Sequence, residues 1–197
     1  INLLPDAKTQ SRNEMFFALR RLYYGGQIRM KAIIYTSNTG STAEYAQLLG
    51  KELNLPVHSL QQAKNKVPAG SEIIYLGWIM AGGIKGYKEA VKLYKVRAVC
   101  GVGMGQTGTQ LKEVRDKNAI PQRIPLFTLQ GNFDVKKLHG VYRFMMNVMV
   151  KTAGKGLANK TDRTPEEDDM LDMMVNGGKR VALQNMKAVT EWYKSVY

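Results

Sequence analysis

From Met30 onward, short apolar runs alternate with stretches in which apolar residues recur every three or four positions. The runs 31–36, 57–60, 72–78, 97–102 and 124–129 are mostly continuous in apolar character rather than alternating. Strands buried on both faces read this way, whereas a strand with one wet face alternates. Between them, 42–53, 86–95 and 109–118 carry helical spacing. Strand–helix alternation of this kind predicts an α/β chain: a parallel sheet with right-handed crossovers and helices on both faces. Two longer helical segments follow the fifth strand, near 136–152 and 165–196. The second has explicit start signals. Thr164 suits an N-cap, Pro165 the first helical position, and Glu167 completes a capping box. The acidic run Glu166-Glu167-Asp168-Asp169 lies in the first turn, where it complements the helix dipole. Asn176-Gly177-Gly178 is a candidate break or kink.

Residues 1–29 carry one short amphipathic stretch, 15–24, closed by Gly25-Gly26. They read either as an N-terminal extension of the domain spanning 30–197, with Met30 as the natural start, or as an extra helix packed on it. The chain has 197 residues, 44% hydrophobic and 23% charged, a balance that suits one globular domain. No apolar run approaches the roughly 18 residues of a spanning helix, and no secretory signal is visible. The single cysteine, Cys100, has no intramolecular disulfide partner and suits a cytoplasmic setting. Its apolar strand implies burial rather than reactivity. With only His58 and His139 beside it, no metal spacing exists. The net charge of +13 is unusual. The first 29 residues contribute five Lys/Arg against two Asp/Glu, and removing that +3 leaves +10 for the rest. Such a surface attracts anionic partners, or is a solvated basic surface with no dedicated partner.

The most informative segment runs from the apolar Ala32-Ile33-Ile34-Tyr35 through Thr36 into Ser37-Asn38-Thr39-Gly40-Ser41-Thr42. A strand enters a hydroxyl-rich turn and then a helix. A helix N-terminus offers unpaired N–H groups and partial positive charge, so it attracts phosphate. Ser37, Thr39, Ser41 and Thr42 add hydroxyl donors, and Gly40 lets the backbone come close. The loop has no lysine, unlike the phosphate loop of nucleoside triphosphatases. Neutral donors suit a phosphate monoester held for binding rather than for transfer.

Ser37-Asn38-Thr39-Gly40-Ser41-Thr42 resembles the phosphate loop of the flavodoxin family, a Ser or Thr followed by x-Thr-Gly-x-Thr on the first strand–helix turn. The resemblance implies a doubly wound five-stranded parallel sheet of order 2-1-3-4-5, with FMN held non-covalently at the switch point between the first and third strands. It also implies three further loops around the flavin. After the third strand come Gly77, then Trp78, Ile79, Met80, Ala81 and Gly82, followed by Gly83. Trp78 stands earlier than the family's usual aromatic, so it is either a wall of the flavin site or a core residue, with Met80 and Ala81 packing on the ring in the second case. Gly82 and Gly83 would let this loop change conformation with redox state. After the fourth strand, Gly103, Met104, Gly105, Gln106, Thr107 and Gly108 satisfy G-x-G-x-x-G. The dinucleotide fingerprint also expects a carboxylate about 20 residues on, at the end of the next strand, and that strand ends at Thr128-Leu129-Gln130 with no carboxylate until Asp134. The family reading makes this the second flavin-contacting loop, offering backbone groups to the ring edge. After the fifth strand come Gly131, Asn132 and Phe133.

The helical segment after the fifth strand is not part of the short flavodoxin plan. It resembles a subfamily that includes the flavodoxin-type, quinone-linked protoporphyrinogen oxidase. Leu138, Val141, Tyr142, Met145 and Met149 share one helical face, with Lys136, Lys137, His139, Arg143 and Lys151 toward others. This face is either packed in the core or laid on a membrane or hydrophobic partner. The resemblance implies FMN-dependent electron transfer, by a carrier or small oxidoreductase. The alternatives are an oxidase passing electrons from a heme precursor to a quinone, and a flavin-free binding module that uses its basic face. Expected partners are FMN, an acidic redox protein, and a quinone or a membrane surface; nucleic acid is not favoured. The expected location is cytoplasmic, or peripheral to the inner face of the membrane.

Overall fold

The computed structural model describes residues 30–132 and 140–197, without the side chains at 141, 142, 145, 146, 149 and 153. The strands are β1 (Ala32–Thr36), β2 (Val57–Ser59), β3 (Glu72–Met80), β4 (Gly83–Ile84), β5 (Lys95–Gly103) and β6 (Leu126–Gln130). The helices are α1 (Ser41–Leu53), α2 (Leu60–Lys66), α3 (Tyr87–Leu93), α4 (Leu111–Asn118), α5 (Gly140–Asn159), α6 (Pro165–Asn176) and α7 (Lys187–Val196). Five strands lie in the order β2-β1-β3-β5-β6 and every neighbouring pair among them is parallel. The protein is therefore α/β with a mostly parallel sheet.

Both faces of the sheet are dry. Odd-numbered residues of β3, Ile73 and Tyr75, pack with Leu60 and Ala63 of α2, Tyr87 and Ala90 of α3, and Val114 of α4. Even-numbered Ile74 and Leu76 pack with Tyr45 and Leu49 of α1 and with Met186 and Val189 at the start of α7. This two-sided burial is why the strand runs lack alternation. Within β5, Lys95 is exposed and Arg97 is half-buried. Ile73 pairs with Val96 but Ile74 pairs with Ala98, so Arg97 is the extra residue of a bulge, and its guanidinium meets the Glu72 carboxylate.

Three elements depart from the sequence expectation. The run 57–60 is a shorter strand followed at once by α2, whose N-cap Ser59 forms a capping box with Gln62. The segment 165–196 is not one helix, and its first part ends at the break or kink expected of Asn176-Gly177-Gly178. α6 begins with the expected capping box of Thr164 and Glu167. It ends at Asn176, Gly177 takes a left-handed φ of 69°, and a 3-10 turn at Leu183–Met186 leads into α7. The third difference lies beyond β3. The stretch from Trp78 to Gly83 is not an open loop: β3 continues to Met80, Ala81 and Gly82 form a tight turn at φ 46° and 73°, and β4 returns antiparallel. Two central residues at positive φ match a type I′ hairpin. Gly77 makes room for the return, since a Cβ there would lie 2.4 Å from Ile84 Cγ2 and 2.6 Å from the Lys85 carbonyl.

The hairpin is held from below by the buried Asn118 at the end of α4. Its Oδ1 accepts from Ile84 N at 2.8 Å, and its Nδ2 donates to Gly82 O at 2.8 Å and Val114 O at 2.7 Å. Asn118 thus holds the Gly82 carbonyl, and Gly83 pairs with Met80. Asn118→Ala should cost about 2–4 kcal/mol, because it strands the Ile84 amide and Gly82 carbonyl away from water. Urea unfolding measures the loss, and hydrogen exchange at Ile84 should accelerate with it. A change under about 0.5 kcal/mol would mean that strand pairing alone holds the hairpin.

Candidate functional site

Parallel pairing delivers the segments after β1, β5 and β6, and the overhang of β3, to one edge of the sheet. Across that edge Thr36 pairs with Gly77, Trp78 with Val102, and Gly103 with Gln130. Sheet order reverses direction between β1 and β3, the crevice where open α/β sheets bind ligands. The turn 37–40 leads from this crevice into α1.

α1 differs from α2 and α6 at its start. Those two carry capping boxes, whereas the residue preceding α1 is Gly40 at φ 106°, with no side-chain cap. The first helical bond runs from Glu44 N to Gly40 O, so the N–H groups of Ser41, Thr42 and Ala43 are without intrahelical partners. Ser37 Oγ accepts from Gly40 N at 3.2 Å and shapes the turn. A Cβ placed on Gly40 would meet nothing within 4 Å, so the space over the turn is open. Thr42 is 1% exposed, and among the described residues its hydroxyl has no hydrogen-bond partner. No cation stands in the segment 37–42, and Glu44 directs its carboxylate to Asn132 Nδ2 at 3.1 Å. Thr39 is half-buried and Asn38 exposed beside them. The donor set is neutral, with Thr39 half-buried and Ser41 and Thr42 buried beneath the open space over Gly40, and neutral donors at a helix start fit a phosphate monoester.

The alternation along β3 places Trp78 and Met80 on the face that carries α1. Both are half-buried, and the Lys85 ammonium lies 5.7 Å from the centre of the Trp78 ring. Ile79 points the other way, over Gly101 and Gly103, where added Cβ atoms would sit 2.8 and 3.3 Å from it. Gly103 is therefore required at least in part by packing. Ala81 is exposed at the hairpin tip and Gly82 is bound to Asn118.

The segment after β5 is tied to β6. Gly108 N donates to Thr128 O, Thr107 Oγ1 accepts from Gln130 N, and Thr109 Oγ1 donates to Gln106 O. Met104, Gly105 and Gln106 remain partly exposed at its crest. Gly131 N donates to Gly103 O at 2.7 Å, and a Cβ on Gly131 would meet Val102 and Ser41. Phe133, His139 and the face named by Leu138, Val141, Tyr142, Met145 and Met149 lie outside the described residues and side chains.

The structure thus brings Ser37, Asn38, Thr39, Gly40, Trp78, Met80, Met104, Gly105 and Gln106 to one edge with groups open to it, and sets the buried Thr42 beside them. Ser41, Ile79, Gly82, Thr107, Gly131 and Asn132 are engaged within the protein. Sequence reasoning missed Asn118 and the joining role of Asn132, because a lone asparagine carries no pattern. Comparison with protein-family models finds no match, and comparison with curated proteins finds none.

Several buried acids lie around this edge. Burial raises the hydroxyl pKa of Tyr45 and, much further, that of Tyr75, which bonds Thr36 Oγ1 at 2.8 Å and Lys85 O at 2.7 Å. The thiol of Cys100, wholly buried in β5, is pushed up to about 12. The fold holds these groups protonated. Their stabilising effect is complete below the unfolded-state value, near 9 for the thiol, and is lost as pH rises through the folded-state value. Melting temperature should therefore fall between about pH 9 and 12, and iodoacetamide at about pH 8.5 should leave Cys100 unmodified until denaturant is added. Rapid native alkylation would show that β5 opens locally.

Proposed function

We propose that the chain is a flavodoxin-like protein that binds FMN at this edge and works in electron transfer, as a carrier or small oxidoreductase. The observation that carries the reading is the uncapped start of α1 beside the β1–β3 crevice, with the unspent Thr42 hydroxyl and open space over Gly40. The strand order β2-β1-β3-β5-β6 supports it, because the short β4 only decorates β3 and the five long-range strands follow the order that the family resemblance implies. The N–H groups of residues 41–43 and the hydroxyls of Thr39 and Thr42 would hold the phosphate. Trp78, Met80 and the crest at Met104–Gln106 are the candidates for the ring. FMN, when bound, supplies the redox chemistry. The chain's residues bind its phosphate, orient the ring and limit water around it.

The test is FMN titration followed by absorbance and flavin fluorescence. FMN should bind far more tightly than riboflavin, which lacks the phosphate. Each hydrogen bond to a charged group contributes about 1.5–3 kcal/mol. Thr39→Ala with Thr42→Ala should therefore weaken FMN on the order of a hundredfold or more, with little effect on riboflavin. Equal affinities for FMN and riboflavin in the unaltered protein would sink the reading.

A second reading, an enzyme acting at a membrane with a quinone, is favoured by one observation. α5 exposes Phe144 and Val148, 70% and 46%, alongside exposed Arg143, Lys151 and Lys155, and no acid occurs between Asp134 and Asp162. Among the described residues no helix is long and apolar enough to cross a membrane, so α5 would lie along the surface. Vesicles with anionic lipid should then sediment the protein and neutral vesicles should not, since each surface cation adds about 1 kcal/mol near such a membrane. Changing Arg143, Lys151 and Lys155 to Glu should abolish sedimentation. Capture that survives this change belongs to other basic residues and removes the support for this reading.

A further inference from the structure

Ser41 begins α1 inside the proposed phosphate loop, yet its hydroxyl is turned to the exit of β6. Ser41 Oγ accepts from Asn132 N at 3.0 Å and donates to Asn132 O at 3.4 Å. The Asn132 side chain is equally committed. Its Oδ1 accepts from Arg180 N at 2.6 Å and Val181 N at 2.9 Å, and its Nδ2 donates to Glu44 Oε2 at 3.1 Å. An amide oxygen has two lone pairs, and both are used. The segment so gripped is itself fixed. The Arg180 guanidinium bonds Asp169 and Asp172 of α6, and its carbonyl accepts from Asn185 Nδ2 at 2.9 Å. Asn185 Nδ2 also donates to the Tyr45 hydroxyl at 2.7 Å, which donates to Gln130 O at 2.6 Å.

One asparagine therefore joins three parts far apart in sequence: the first turn of α1, the end of β6 and the strap between α6 and α7. We infer that Asn132 is a positioning residue for the phosphate cradle, and that it couples occupancy of the cradle to the strap at Arg180 and Val181. The inference rests on the reading of residues 37–42 as a phosphate site. Ser41, in consequence, is a tether rather than a phosphate donor. The mechanism is geometric. The N–H groups at the start of α1 point in a direction set by where Ser41 and Glu44 are anchored, and both anchors are Asn132. A phosphate that draws on those N–H groups tightens the same turn, which limits the opening of the bonds to Arg180 N and Val181 N.

The test combines FMN and riboflavin titrations with amide hydrogen exchange. In the unaltered protein FMN should slow exchange at Arg180 and Val181, and riboflavin should not. Asn132→Ala should lower the preference for FMN over riboflavin by about tenfold or more while leaving riboflavin affinity nearly unchanged. A purely structural loss would weaken both ligands alike and would overturn the inference. Ser41→Ala covers the case in which Asn132→Ala does not fold. It should leave FMN bound, more weakly, and should remove the slowing at Arg180 and Val181. Slowing that persists in Ser41→Ala makes Ser41 an ordinary donor and overturns the coupling. Asn132→Asp combined with Glu44→Gln reverses donor and acceptor between the two side chains at unchanged net charge, and it keeps an acceptor for both strap amides. This double variant should restore the preference for FMN; one as poor as Asn132→Ala overturns the inference. Failure of the unaltered protein to bind FMN at all would instead overturn the phosphate reading and the coupling with it.

Discussion

The pairing of β3 with a parallel neighbour on each side is the constraint on which the other features rest. Ile73, Ile74, Tyr75 and Leu76 are fully buried, so each face of this strand needs its own helical cover. Parallel neighbours also require every connection to cross a face and return to the opposite edge. The turn 37–40, the crest after β5 and the exit of β6 are close together for that reason. Their sequence positions are separated by tens of residues, but the register between Thr36, Gly77 and Gly101 fixes them relative to one another.

At this edge backbone polar groups outnumber the partners that secondary structure supplies. Two asparagines make up part of the difference in different ways. Asn118 satisfies the turn of the hairpin from α4, which converts an overhang of β3 into a rigid lip. Asn132 satisfies two amides of the strap that follows α6, which a continuous helix would have bonded internally. The start of α1, like those of α3, α4 and α7, has no side-chain cap, but it is the one that lies at the β1–β3 crevice. Caps are inexpensive for a sequence to provide, as Ser59 with Gln62 and Thr164 with Glu167 show. An uncapped start next to a crevice directs attention to a ligand, and the proposed role for FMN takes its position from that crevice.

Charge enters the argument separately from the fold. The excess of cations does not determine where strands pair, because long charged side chains are solvated wherever a surface exists. It bears on which partners can approach. α5 concentrates the effect, since it packs on α6, where Gly154 lies near Met174, and presents Phe144 and Val148 among cations to solvent.

The sequence by itself determined the α/β class, the central strands and the location of the hydroxyl-rich turn that leads into α1. Each is written in local chemistry: an unbroken apolar run, a hydroxyl-rich turn with glycine, a capping box at Thr164. It marked Asn176-Gly177-Gly178 as a break or kink, but it did not disclose that β3 runs on to Met80 or that a strap and a 3-10 turn follow α6. Nor did it show that Gly77, Gly101 and Gly103 serve packing against Ile84 and Ile79. Those outcomes depend on atoms brought from distant parts of the chain. A glycine near a strand end has the same local signature whether it faces a ligand or a neighbouring isoleucine. An asparagine after a strand reads as a ligand contact until its hydrogen bonds are assigned. The tertiary structure decided between these cases, because a side chain's role is set by which partners reach its few lone pairs and protons, and at Asn132 those partners come from α1 and from residues 180 and 181.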